Sequence, residues 1–150
     1  MKPDLVFQFT SSAAGVAWLL LACAPFVQRP VQRVLLLAAG RLAPLLLCLA
    51  YVAVLVQYWG SAPGGSFASF EGVVRLFSSP GKLLGGWIHY LAFDLLIGRL
   101  MVDDALASGQ PRPALLACLF FACLYGPAGW LAYCTLRTCS SWRRNVPVDP

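Results

Sequence analysis

Trp87-Ile88-His89-Tyr90-Leu91-Ala92-Phe93-Asp94-Leu95-Leu96-Ile97-Gly98-Arg99 is the stretch that decides how this chain folds. It has the apolar character of a membrane helix, yet it carries a histidine, an aspartate and an arginine. Ionisable side chains at membrane depth cost several kcal/mol unless paired or hydrated, so each is a functional candidate. At a rise of about 1.5 Å per residue, Asp94 falls near the bilayer centre, with His89 and Arg99 each about 7.5 Å away along the axis. At about 100° per residue, Asp94 points about 140° away from both. His89, Arg99 and Asp103 share one arc, and Tyr90, Asp94 and Gly98 share another. A helix polar on two arcs needs neighbours on both, so it is predicted to be the central helix.

The rest of the chain fits that setting. Of 150 residues, 59% are hydrophobic and 11% charged, and the mean hydropathy is +0.73. Soluble domains run at about 45–50% apolar and about 25% charged, so the composition is that of a membrane protein. A spanning helix needs about 20 mostly apolar residues. Four segments qualify, at about Leu5 to Val27, Val34 to Trp59, Leu84 to Leu106 and Leu115 to Leu136. The expected fold is an all-α integral membrane protein: a single domain over 1–150, built as a four-transmembrane-helix bundle. The first apolar run is too long for a signal-peptide core and is expected to stay as a span. Trp59, Trp87, Tyr133 and Trp142 fall near span ends, where aromatic rings prefer to sit.

Between the second and third spans, Gly60-Ser61-Ala62-Pro63-Gly64-Gly65-Ser66 breaks the chain. Phe70, Val73, Val74 and Phe77 then repeat as a helical apolar stripe, with Glu71 and Arg75 at pairing distance in sequence. A short interfacial helix over about 67–77 is predicted. With four spans, Lys2, Arg75, Lys82, Arg137, Arg143 and Arg144 lie on one side and Arg29, Arg33 and Arg112 on the other. The positive-inside rule then places both termini in the cytoplasm. The Ala-, Leu- and Arg-rich composition with few lysines suggests a bacterial inner membrane. The formal charge of +5 forms no basic patch with interleaved aromatics, so no nucleic-acid partner is expected. None of the six cysteines forms a C-x-x-C pair. They read as soft packing residues, with a Cys134–Cys139 redox pair as the sharper alternative.

Levels in the membrane suggest partners. Arg41 falls at about the height of Arg99 and Asp103, so Asp103 could neutralise Arg41 or, one turn away, Arg99. These three are read as structural ion pairs. Tyr125-Gly126-Pro127-Ala128-Gly129 falls at the level of Asp94. Pro127 lacks an amide hydrogen and frees the Cys123 carbonyl, and the glycines permit close approach. A polar midplane pocket is therefore expected, with Tyr90, Gly98, Tyr125, Gly126, Pro127 and Gly129 around Asp94. The blander readings are a register-locking ion pair, a packing kink and a hydrogen-bonded interior histidine. The chain has a single histidine and a single glutamate. That excludes the histidine-rich di-iron hydroxylases and, within one monomer, bis-histidine haem. No nucleotide loop or zinc spacing is present, so no metal and no cofactor are expected.

The long motif from Trp87 to Arg99, followed by Asp103-Asp104, resembles the signature helix of the plant neoxanthin synthase family, the abscisic-acid-deficient-four-like membrane proteins. Tyr125-Gly126-Pro127-Ala128-Gly129-Trp130-Leu131 is similar to that family's Phe-Gly-Pro-x-Gly-Leu-Leu segment. Trp18-Leu19-Leu20 with Ala24-Pro25 resembles its first helix. The resemblance implies conversion of an epoxy-carotenoid to an allenic one. That isomerisation has no net redox change and needs an acid for the epoxide oxygen and a base for a vinylic proton. Asp94, desolvated at mid-membrane, could keep its proton and act as the acid, and His89 is the natural base. The expected function is a cofactor-free isomerase of a carotenoid or related isoprenoid. A non-enzymatic subunit that binds lipid or pigment, or assists a partner enzyme, is the alternative. A proton path is disfavoured, since only one acid lies near the centre. Expected partners are membrane lipid, a carotenoid-like or isoprenoid ligand and, given the two polar arcs, a second copy of the chain.

Overall fold

A computed structural model describes residues 2–145 and, of the side chains, those as far as Ser140. Trp142, Arg143 and Arg144, used above for a membrane edge and the charge balance, lie outside the described side chains. The fold is all helical, with no strand among the described residues. Helix α1 is Pro3–Cys23, extended by a 3-10 turn over Ala24–Phe26. Helix α2, Arg29–Leu37, continues through a π-helical segment at Ala38–Leu42 into α3, Ala43–Gln57. Pro44 removes one donor from the i→i−4 ladder at this point, and the wider π turn absorbs the mismatch. The remaining helices are α4 (Phe70–Phe77), α5 (Pro80–Ser108), α6 (Arg112–Tyr125) and α7 (Pro127–Asn145).

Three helical stretches are long and apolar enough to cross a membrane: Pro3–Phe26, Arg29–Gln57 and Pro80–Ser108. Their outward faces carry bare apolar side chains, with Phe9 76%, Leu19 68% and Val56 70% exposed. Such a surface suits lipid and not water.

Helix α5 is central. Helices α1, α3, α4, α6 and α7 all pack against it. Its buried residues Ile88, Leu95, Met101 and Val102 meet Leu21 of α1 and Val54 of α3 in one core. A short helix falls within the expected 67–77 stretch, as α4. Ser69 caps it, its Oγ accepting from the Gly72 amide at 3.1 Å, and Phe77 packs on the bare face of Gly86. Glu71 and Arg75, however, do not form an ion pair among the described residues. The Arg75 guanidinium instead reaches back over Gly64 in the preceding loop.

The largest departure is at the fourth predicted span. The segment 115–136 is two antiparallel helices joined at Gly126, not one helix. Gly126 has φ +43° and ψ −95°, in the region that favours glycine. A Cβ at Gly129 would collide with the Ala122 backbone, so the two helices nearly touch just beyond the turn. At the far end, Gln110 Nε2 donates to Ser140 Oγ at 2.8 Å. A continuous helix would separate those residues by about 45 Å. Apolar length cannot reveal this, because a hairpin whose arms pack on each other is as apolar as a span.

The hairpin also corrects the placement of the termini. Asp4 and Phe7 lie beside Pro80, Leu83 and Trp87 at the start of α5. Ser140 lies beside Gln110, just past its end. The two ends of the described chain therefore sit at opposite ends of α5, not at the same end.

Candidate functional site

The tip of the α6–α7 hairpin meets α5 at Asp94. A Cβ on Gly126 would fall 2.8 Å from Asp94 Oδ1 and 3.0 Å from Oδ2, so the carboxyl lies directly under the open face of the glycine. Oδ2 is buried and has no hydrogen-bond partner among the described residues. A buried polar atom without a partner costs about 1–3 kcal/mol, which marks the position as one kept for another reason. Gly126 also precedes the first turn of α7, its carbonyl accepting from the Trp130 amide at 3.3 Å. The positive end of that helix dipole therefore lies next to the carboxyl.

One turn before Asp94, the Tyr90 hydroxyl donates to the Cys123 carbonyl at 3.5 Å. This is the carbonyl whose helical partner Pro127 removes. Beside it a cavity of about 540 Å³ opens between α1, α5 and the hairpin tip, lined by Ser11, Trp18, Tyr90, Leu91, Cys123 and Tyr125. Of the expected pocket residues, Tyr90, Tyr125 and Gly126 are at this place. Gly129 serves the crossing of α6 and α7 instead. Pro127 is exposed at the start of α7. Gly98 is covered by the Trp18 ring, which a Cβ would approach to 2.7 Å, so it packs α1 on α5.

His89 is not part of this site. It stacks on Phe93 at 4.5 Å and faces Tyr51 at 5.8 Å. With Tyr51 it borders a separate groove between α3, α4 and α5. The predicted acid and base thus lie on different sides of their helix, as their spacing of five residues requires.

The charged residues sort clearly. Arg99 Nε donates to Asp103 Oδ2 at 2.7 Å, and its Nη1 donates to the Leu36 carbonyl at 2.5 Å. The stem of Arg99 lies on Gly40, so α5 is locked to the π segment. Arg41 does not share that lock. Its side chain is exposed and makes no ion pair among the described residues.

A second lock has no counterpart in the sequence reading. Asp104 Oδ2 accepts from the Tyr133 hydroxyl at 2.5 Å and from Arg137 Nε at 2.9 Å. Tyr133 is 2% exposed and stacks on Trp130. Tyr133 and Arg137 are spaced i, i+4, a signal that could have paired them with an acid on a neighbouring helix. Their partner could not be chosen without the hairpin. The cysteines are free, Cys134 and Cys139 included, and no cluster able to hold a metal occurs among the described residues.

No curated protein and no solved structure is similar enough to count as a match. A family model does match: that described as ABA4-like, ABA DEFICIENT 4-like, over residues 5–133. The match runs from the first turns of α1 to Tyr133 and so takes in α5, the hairpin tip and one partner of the Asp104 lock. The chain belongs to the ABA DEFICIENT 4-like family.

Proposed function

We propose that this protein is a membrane isomerase in which Asp94 acts on an oxygen-bearing isoprenoid of the carotenoid kind. The observation that carries the reading is the partnerless Asp94 oxygen held under Gly126, with Tyr90 and Tyr125 next to it lining an apolar cavity. A protonated carboxyl placed there can give its proton to an epoxide oxygen. Opening of the C–O bond leaves positive charge on the adjoining carbon. The resulting carboxylate, stabilised by the positive end of α7, can then take a proton from the neighbouring vinylic carbon. An alcohol and a new double bond result, the carboxyl regains its starting state, and no electrons are exchanged. One residue thus serves in turn as acid and base, which removes the need for His89. The family likeness supports the substrate class, since the sequence resembles proteins linked to epoxy-carotenoid conversion.

In this reading α1, the α2–α3 helix and α5 cross the bilayer, and α6–α7 enters from one side and returns to it. Arg29, Arg33, Arg112 and Arg137 then cluster at the end of α5, against Lys2, Arg75 and Lys82 at its start. The positive-inside rule puts the end of α5 in the cytoplasm and the amino terminus across the membrane. Reporter fusions at the two termini should respond on opposite sides. Activity from both on one side would reject the three-span arrangement.

The catalytic test is conversion of an epoxy-carotenoid in membranes holding Asp94→Asn or His89→Ala protein. Loss with Asp94→Asn and retention with His89→Ala are expected. Undiminished turnover by Asp94→Asn would end the acid–base reading and leave a binding role.

A further inference from the structure

Besides the cavity at Tyr90 and the hairpin tip, α5 borders a second large space, a groove of about 540 Å³ between α3, the short helix α4 and the first half of α5. That volume lies within the about 300–1,000 Å³ of ordinary small-molecule sites. Its walls are mainly rings and branched chains, notably Tyr51, Phe77, Trp87 and His89. The floor is opened by Gly86, whose missing Cβ admits the Phe77 ring and keeps the wall of α5 low.

The polarity of the groove is uneven. Lys82 is the one charged residue among those lining it, at the end nearest the start of α5. Its ammonium lies 5.5 Å from the centre of the Trp59 ring, which holds the charge at the rim. His89, about 10.5 Å further along the helix, lines its deep end, stacked on Phe93. Trp87 and Tyr90 stack at 5.5 Å and stand between this groove and the cavity at the hairpin tip, since both line both spaces.

We propose that the groove is a binding site for a single-chain amphiphile drawn from the bilayer, with an anionic head on Lys82 and a ring or polyene tail among Tyr51, Phe77 and His89. One cation at the mouth and rings along the walls are complementary to one anionic head and one flat, polarisable tail. The site shares the membrane reading above and does not depend on the chemistry at Asp94.

The probe is cis-parinaric acid, a fluorescent polyene carboxylic acid, with its neutral methyl ester as control, titrated into the purified full-length protein in detergent. Lys82→Gln should weaken binding of the acid about tenfold and leave the ester unchanged. Gly86→Leu fills the floor and should weaken both. Asp94→Asn should change neither. Unchanged acid binding in Lys82→Gln and in Gly86→Leu would overturn the proposal. Equal loss of acid and ester in Lys82→Gln would reject the anionic head. Loss confined to Asp94→Asn would place the probe in the other cavity and overturn the site. Thermal unfolding of each variant separates lost binding from lost folding.

Discussion

Two aspartates on α5, Asp94 and Asp104, lie about 15 Å apart along one helix and meet the same hairpin, one at its tip and one near its base. Asp104 is doubly paired: a tyrosine hydroxyl and an arginine donate to a single oxygen. Asp94 is offered a glycine, and one of its oxygens meets no donor. The difference teaches how the fold divides its labour. At the base the lock on Asp104 is doubly paired, although Gln110 Oε1 beside it also lacks a partner, and at the tip Asp94 Oδ2 is buried and unpaired next to Tyr90, which lines the cavity. Stability is invested at the base, and the tip, the proposed site of reaction, is left with an unpaired oxygen.

The comparison can be broken most severely where the hairpin closes. A side chain at Gly129 would drive into the Ala122 backbone, which cannot yield as a flexible side chain could. Gly129→Leu is expected to cost more than about 4 kcal/mol, the range reserved for packing failures in a core. Thermal unfolding in detergent would show no cooperative transition at the wild-type temperature. A near-native transition would mean that the two helices do not approach so closely.

Next comes the base. Asp104→Ala removes a charge-assisted bond and the acceptor for Tyr133, together about 1.5–3 kcal/mol. The lower end is expected, because the Asp104 and Arg137 side chains are 43% and 36% exposed. Tyr133→Phe keeps the stack on Trp130 and should cost about 1 kcal/mol. Both variants should retain conversion per folded molecule, as measured in membranes at a temperature below their transitions. Equal loss from the two would show that the tyrosine, not the ion pair, sets the strength of the lock.

Much of this was legible in the residues. The spacing of five between His89 and Asp94 separates them on any α-helix, and the structure keeps them on opposite sides. Gly126 and Pro127 announce a break at the height of Asp94, since a helix can be counted along its axis in residues. The direction of the chain after the break was not legible. Apolar residues on either side of a glycine suit a kinked span and a hairpin equally well, and the deciding contact joins Gln110 to Ser140, thirty residues apart. The role of Arg41 was hidden for a related reason. Its height was counted along the helix, but height does not fix direction around the axis, and Arg41 sits inside a π segment where the angle per residue changes. The Asp104 lock depends on the hairpin alone, because only a returning α7 presents Tyr133 and Arg137 to the end of α5.

The smallest effect on stability should come from the residue with the largest effect on chemistry. Replacing a half-buried carboxyl that has one unpaired oxygen by an apolar group of similar size is close to neutral, because the Tyr90 hydroxyl beside it keeps the Cys123 carbonyl. Asp94→Leu should therefore unfold within about 0.5 kcal/mol of the wild type, or above it, while conversion disappears. Asp94→Asn adds two amide hydrogens that the cavity must also satisfy, so it should be the less stable of the two. The order Leu, then Asn, in unfolding temperature is the informative result. If Asn were the more stable, a hydrogen-bond acceptor would have to stand within reach of Oδ2. The tip would then hold a polar partner for this position after all, and the contrast between tip and base would fail.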